Sequence, residues 1–113
     1  MKQITDVAVQ AREAAGEAVS VILDVRRRPV FEAAADRIPG SQWRDPDQAS
    51  QWLHELDPSI PTIVYCVHGH EVSQSVALTL NEAGISVRYI QGGIEAWREA
   101  GLPLANKAEG AVE

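Results

Sequence analysis

The feature that most limits the possible folds is a short apolar run in the middle of the chain, followed at once by a change of hydrophobic period. Residues 63–65 read Ile-Val-Tyr, and such a β-favouring run predicts a strand that is covered on both faces. Further on, apolar residues recur every four positions at Val72, Val76 and Leu80, which predicts one face of a helix. Strand, loop and helix in this order favour an α/β fold with a mainly parallel sheet between layers of helices.

The chain's only cysteine stands where this strand becomes a loop. In open α/β sheets ligands bind beyond the carboxyl ends of the strands, and free amides at a helix N-terminus stabilise a thiolate. Gly69 lets the loop curl its amides around one point. Ser73 is expected to cap the helix, which leaves a seven-residue loop over 66–72. We interpret Cys66 as a nucleophile, although a cysteine ending an apolar strand is more often an inert core residue.

The remaining sequence predicts further helices and strands in alternation. We expect a short first strand at Ile4, a helix over 5–15, a strand over 19–24, a short helix over 29–35, a short strand at 43–44, a helix from 45 to about 56, an outer strand over 86–90, and a last helix that buries Ile94 and Trp97.

Composition and charge bound the class of protein. The 113 residues suffice for one core, so we expect a single domain over 1–104 and a loose acidic tail over 105–113. The net charge of −6 argues against binding to nucleic acid or to an anionic membrane surface. No apolar run is long enough to span a bilayer, and no secretory signal is visible. A lone cysteine forms no internal disulfide and fits a reducing compartment, so we expect a cytoplasmic protein.

Several segments, taken in order, resemble the rhodanese family. They are residues 22–26 (Ile-Leu-Asp-Val-Arg), 37–41 (Arg-Ile-Pro-Gly-Ser), 65–66 (Tyr-Cys), 92–97 (Gly-Gly-Ile-Glu-Ala-Trp) and 101–103 (Gly-Leu-Pro). The resemblance covers roughly residues 4–104. It implies a doubly wound α/β domain, with helices on both faces of the sheet, and a cysteine that carries a persulfide.

The resemblance also implies an activity. A rhodanese-type sulfurtransferase moves a sulfane sulfur from a small anionic donor such as thiosulfate to a thiol or to cyanide, here through a Cys66 persulfide. We expect no cofactor and no metal, and a monomer or a weak homodimer. The residues expected to contact the donor are Val67, His68, Gly69, His70, Glu71, Val72, Ser73 and Arg26.

Polar residues near the loop have alternative interpretations. By the resemblance, Asp24 mainly holds loops near the site. Arg26 stands in the family motif and is expected to face the loop and attract the donor, whereas Arg27 and Arg28 fit a solvated turn. The loop histidines at 68 and 70 either donate hydrogen bonds to the donor or persulfide, or lie exposed in solvent. A metal held by both histidines and the cysteine is not expected, because a loop with inward amides turns at least one side chain away.

The predicted loop also departs from the common pattern. Many sulfur-transferring members have a shorter loop, and the length predicted here resembles the phosphatase and arsenate reductase branch. That branch has an arginine where Val72 stands, and Glu71 opposes a dianion. Residues 66–74 further resemble the loop of rhodanese-like domains associated with chromate-resistance proteins. An oxyanion-handling enzyme of phosphatase or arsenate/chromate reductase type, and a non-catalytic binding or sensing module, therefore remain alternatives to sulfur transfer.

Overall fold

The computed structural model describes residues 8–16 and 21–106. The strands of this part of the chain are β1 (Ala8–Val9), β2 (Val21–Asp24), β3 (Asp36–Arg37), β4 (Gln42–Trp43), β5 (Thr62–Tyr65), β6 (Val87–Ile90) and β7 (Ala105–Asn106). The helices are α1 (Ala11–Ala15), α2 (Arg28–Ala33), α3 (Ala49–Trp52), α4 (Glu71–Glu82) and α5 (Gly93–Glu99).

The strands form a parallel sheet with the order β1-β6-β5-β2-β4, and β3 pairs with β7 in a separate antiparallel ribbon. β5 occupies the centre, where Ile63 lies opposite Ile22 on one side and Arg88 on the other. A parallel sheet of this kind needs helices over both faces. The predicted α/β class with a parallel central sheet is confirmed.

The two faces of the sheet belong to two separate hydrophobic clusters, because successive side chains of a strand point to opposite sides. On β5, Val64 packs in the cluster that contains Trp52 of α3 and residues of α4. Its neighbours Ile63 and Tyr65 pack in the other cluster, which contains Trp97 of α5 and residues of α1. Alternation along one four-residue strand therefore fixes which helices cover which face.

The N-terminal prediction is partly wrong. Ala8 and Val9 form a strand paired with Tyr89 and Ile90, and the helix begins only at α1, after Gln10. The spacing of small apolar residues was typical of a helix, but pairing with a strand 81 residues away decides the conformation. This pairing also makes β6 an internal strand rather than the predicted outer one. The expected strand at Ile4 and the start of the predicted helix at 5–7 lie outside the described residues.

The segment 45–56 is helical but irregular. The Asp45 side chain accepts a hydrogen bond from the Asp47 amide and caps the 3₁₀ turn Pro46–Gln48 at the start of the predicted helix. α3 follows, and then a second 3₁₀ turn over Leu53–Glu55. No helix in the described ranges is both long enough and apolar enough to span a membrane.

The end of the described chain differs from the predicted tail. Asn106 pairs with Asp36 and Ala105 with Arg37, so ordered pairing extends two residues past the boundary predicted at 104. Residues 107–113 lie outside the described part, and the loose tail there stays a prediction.

Candidate active site

Cys66 lies directly after Tyr65, the last residue of β5. Its side chain is 7% exposed. Because β5 is the central strand, this cysteine stands at the carboxyl end of the middle of the sheet, where open α/β sheets bind ligands. The predicted location of the cysteine, where strand becomes loop, is confirmed.

The predicted length of the loop is wrong. α4 begins at Glu71, so only residues 66–70 connect it to β5, and His70 rather than Ser73 occupies the N-cap position. Serine is a favoured cap, and this preference placed the helix start too late. Ser73 instead lies inside the first turn with its side chain fully buried. The acidic Glu71 suits a helix start, since negative charge is favourable at a helix N-terminus.

The cysteine thiol has a specific polar contact. Cys66 Sγ donates a hydrogen bond to Ser73 Oγ at 3.1 Å. Both side chains are buried, with exposed fractions of 7% and 0%. The helix that follows the loop therefore places a hydroxyl directly against the sulfur.

The carbonyl oxygens of the loop are held by neighbouring donors. At the start of α5, the Ile94 amide donates to the Cys66 carbonyl at 3.0 Å and the Glu95 amide donates to the Val67 carbonyl at 3.2 Å. Gln74 Nε2 on α4 donates to the Gly69 carbonyl at 2.9 Å. Two helices thus fix the orientation of the loop's peptide groups.

The amide groups of the loop are available for an anion. From residue 67 to residue 73, no backbone N–H donates to an acceptor among the described residues. Four free N–H groups are normal for the first turn of a helix, and the preceding loop adds more. Such a run of free amides next to the thiol can bind an anionic sulfur species or a small oxyanion.

Two glycines allow the loop and α5 to approach this closely. Gly93 has φ +64°, and a Cβ there would lie 2.4 Å from the carbonyl oxygens of both Cys66 and Val67. Gly69 has φ +71°, and a Cβ there would lie 2.6 Å from the Gly92 nitrogen. Neither position accepts a side chain without moving backbone.

The sequence interpretation missed the supporting role of α5. In the sequence the glycine pair at 92–93 is recognised only as part of a family motif. Its function in the structure is to bring the α5 amides onto the loop carbonyls. Adjacent glycines just before a helix were the available signal, because glycine often marks close approach between backbones.

Arg26 is buried and paired rather than free. Its Nη2 lies 2.6 Å from Asp24 Oδ2 and also donates to the Asp36 carbonyl at 3.0 Å. The exposed fractions of the Arg26 and Asp24 side chains are 3% and 1%. Burial opposes the charge of Arg26, but the hydrogen bond and the negative charge of Asp24 outweigh it and raise the pKa of Arg26. The Arg26 guanidinium also lies over the rings of Phe31 and Tyr65. The Arg26–Asp24 ion pair therefore stabilises the packing of the chain beside the loop.

The other polar residues predicted for the site lie at its surface. His68, His70 and Glu71 are exposed, and the two histidine ring centroids are 6.0 Å apart. Glu71 Oε1 lies 4.0 Å from Arg27 Nη2, an exposed and therefore weak ion pair. Within the described ranges, no group of three or more His, Cys, Asp and Glu residues is arranged to hold a metal ion. Val72 is half-buried.

A cavity of about 670 Å³ lies between α2 and α5 and borders the loop at Val67. Its walls are mainly apolar, with Val30 on one side and Ile94 on the other, and Arg98 and Asp36 contribute opposite charges. Cys66 is not among its lining residues, so this cavity adjoins the loop without reaching the thiol.

Comparisons with known proteins agree with this geometry. The family model described as Rhodanese-like domain matches residues 7–100. The chain is 36% identical over 105 residues to the thiosulfate sulfurtransferase GlpE of Pseudomonas putida, covering 92% of this chain and 91% of that one. The corresponding protein of Tolumonas auensis is 34% identical over 100 residues, covering 87% and 92%. The crystal structure of a rhodanese-related protein from Thermoplasma volcanium superposes with a TM-score of 0.77 at 24% identity, covering 87% and 96%, which supports the fold alone.

Proposed function

The chain belongs to the rhodanese-like domain family, and on that premise we propose that it is a sulfurtransferase whose nucleophile is Cys66. The observation that carries the proposal is a thiol at the carboxyl end of the central strand, beside a run of free loop amides. The relatives named thiosulfate sulfurtransferase support the same reaction class.

In the first half of the reaction, the Cys66 thiolate attacks the outer sulfur of thiosulfate. The sulfur–sulfur bond of the donor breaks, and sulfite leaves with the bonding electron pair. The cysteine is then a persulfide with its negative charge on the terminal sulfur. The free amides from residue 67 to residue 73 stabilise that charge in a fixed, partly water-excluded setting.

In the second half, an acceptor attacks the terminal sulfur. Cyanide carbon or a thiolate forms the new bond, the bond between the two sulfurs of the persulfide breaks, and the Cys66 thiolate leaves with the electron pair. The products are thiocyanate, or a new persulfide on the acceptor. No redox partner or cofactor is required, because each half-reaction is a displacement at sulfur.

The oxyanion alternative loses its main support. It rested on a seven-residue loop, whereas α4 begins at Glu71 and the connection is shorter. At the position of the missing arginine, Val72 supplies no positive charge to a phosphoryl group. Arg26 does not replace it, because Asp24 balances its charge.

The family also suggests the setting in which the enzyme works. We expect a small sulfur-containing anion as donor, a thiol or cyanide as acceptor, and a monomer or weak homodimer in the cytoplasm. A reducing compartment would keep the chain's only cysteine free to react. The predicted contacts of the donor with His68, His70 and Arg26 remain predictions.

Intact-mass spectrometry tests the proposal. The native chain and the Cys66→Ser variant are incubated with thiosulfate, measured, treated with cyanide and measured again. We expect the native chain alone to gain the mass of one sulfur atom and to lose it with cyanide, because serine forms no persulfide.

The opposite result is equally informative. If the native chain gains no sulfur from thiosulfate, tetrathionate or polysulfide, sulfur transfer through Cys66 is wrong. The non-catalytic binding module then becomes the better interpretation, and assays with phosphate esters and oxyanions follow.

A further inference from the structure

Ser73 has an unusual environment for a serine within a helix. A helical serine commonly donates its hydroxyl to the carbonyl four residues earlier, which here belongs to Gly69. That carbonyl already accepts from Gln74 Nε2 at 2.9 Å. Among the described residues, the Ser73 hydroxyl has one hydrogen-bond partner, the Cys66 sulfur at 3.1 Å. The side chain is fully buried, so water does not compete for this contact.

We propose that the Ser73 hydroxyl is a catalytic hydrogen-bond partner of the Cys66 sulfur whose direction of donation reverses during turnover, an inference that rests on the proposed sulfur transfer. In the resting thiol, the S–H donates to Ser73 Oγ. When the thiol loses its proton to solvent, the hydroxyl rotates and its O–H donates a hydrogen bond to the thiolate. A hydroxyl can do both, because it carries one donor and two acceptor sites.

This reversal assigns different tasks to the hydroxyl and to the loop amides. In the persulfide the negative charge is on the terminal sulfur, and the groups proposed to bind it are the amides of residues 67–73, which donate to no described acceptor. In the free enzyme the charge is on Sγ itself, next to the Ser73 hydroxyl. The hydroxyl therefore favours the attacking thiolate in the first half-reaction and the leaving thiolate in the second. The amides favour the intermediate between them.

The position of the hydroxyl follows from the fold. Ser73 belongs to the first turn of α4, on the face that also buries Val76 and Ala77 in the core. Packing of this face fixes the position of α4. Because the serine side chain is short, its hydroxyl is thereby held against the sulfur. Ser75, an exposed serine two residues further along the same helix, makes no described hydrogen bond with the cysteine and supplies a matched control.

The test compares the native chain with the variants Ser73→Ala, Ser73→Thr and Ser75→Ala. The rate of Cys66 alkylation by iodoacetamide is measured across pH, and the rate of sulfur loading from thiosulfate is measured in single-turnover experiments. Thermal unfolding of each variant checks that the fold is retained. The titratable residues His68, His70 and Glu71 on the loop and helix start are unchanged in every variant, as is Arg27, which forms an exposed ion pair with Glu71.

We expect Ser73→Ala to need a higher pH for half-maximal alkylation. Its sulfur loading at neutral pH should fall by roughly tenfold or more, because a hydrogen bond to a charged group contributes about that factor. Ser73→Thr keeps a hydroxyl and should retain the native alkylation profile. Ser75→Ala should match the native chain in both measurements.

The inference is overturned if Ser73→Ala has the native alkylation profile, or if Ser73→Thr shifts as far as Ser73→Ala. The alkylation profile requires no sulfur transfer, so it decides the role of Ser73 even if the native chain never gains sulfur. Failure of native loading would count against the proposed function, whereas a native-like profile in the alanine variant would count against this inference alone.

Discussion

At the residue scale, Tyr65 connects the strand before the nucleophile to the turn at residues 38–41. Its hydroxyl accepts a hydrogen bond from the Ile38 amide at 3.2 Å and lies 2.9 Å from Ser41 Oγ. The residue is fully buried. The ring of Tyr65 thus packs in the core while its hydroxyl holds the turn. This contact gives the motif at residues 37–41 a structural role.

Removal of this hydroxyl should destabilise the protein. Tyr65→Phe leaves the buried Ile38 amide without its partner, so we expect the free energy of unfolding to fall by about 1–3 kcal/mol. Urea unfolding measures the change. Tyr89→Phe is the control, because Tyr89 is also buried and its hydroxyl makes no hydrogen bond with a described residue. Equal losses in the two variants would contradict the role of the Tyr65 contact.

The same hydroxyl predicts a pH dependence. Burial, and then the negative charge of Asp24, raise the pKa of Tyr65 above its ordinary value of 10.0. Unfolding releases the phenol to titrate at that ordinary value, so the unfolded state loses the proton first as the pH rises. The contribution of Tyr65 to stability is therefore complete below about pH 10 and declines above it. Tyr65→Phe should show a smaller loss of stability in this alkaline range.

At the scale of secondary-structure elements, the loop depends on the start of α5. Gly93 lets the two backbones approach closely because it has no Cβ. A Cβ at this position would lie only 2.4 Å from the Cys66 carbonyl oxygen. We expect Gly93→Ala to lower the free energy of unfolding by about 3 kcal/mol and the sulfur-loading rate by at least tenfold, because the loop backbone must move. Chemical unfolding and single-turnover loading measure the two effects.

A comparison of Gly93→Ala with Gly101→Ala separates the effect of steric overlap from that of backbone strain. Gly93 and Gly101 have similar positive φ values, +64° and +74°, but a Cβ at Gly101 would have no atom within 4 Å. Gly101→Ala should therefore lose only about 1 kcal/mol of stability, from strain, and keep its loading rate. Equal losses of stability and activity in Gly93→Ala and Gly101→Ala would show that glycine is not required at position 93 for the close contact between the loop and α5.

The sequence was informative where local pattern and tertiary packing agree. The strand containing residues 63–65 follows from a continuous apolar run, because both faces of β5 are buried. The helix carrying Val76 and Leu80 follows from four-residue spacing, because one of its faces is buried. It failed at the start of α4, because serine's preference for caps competes with burial of Ser73 against the sulfur. It failed again at Ala8–Val9, whose strand conformation depends on a distant partner. The support of the loop by α5 was equally non-local.

At the scale of the whole molecule, the net charge of −6 opposes an anionic donor. Thiosulfate carries two negative charges, so its approach should be slowed by repulsion that salt screens. We expect the second-order rate constant for loading of Cys66 to rise roughly twofold between low and physiological ionic strength. Stopped-flow loading with thiosulfate over a salt series measures it.

Alkylation of the same thiolate by uncharged iodoacetamide is the matched control for this experiment. The alkylation rate should be nearly independent of salt, because iodoacetamide carries no charge to repel. A thiosulfate rate that falls with added salt would contradict the prediction and would indicate that the positive field of the loop amides and of nearby Arg27 outweighs the overall charge.

The contact between the loop and α5 also has a consequence for biosynthesis. A ribosome delivers the chain from its N-terminus, so Cys66 emerges before Gly93–Glu99, whose amides hold the loop carbonyls. β1 likewise waits for its partner β6, which is made after it. A nascent chain that stalls before α5 thus exposes to cellular oxidants a thiol whose loop is not yet held, and nucleophile and loop geometry come together only after α5 has been made.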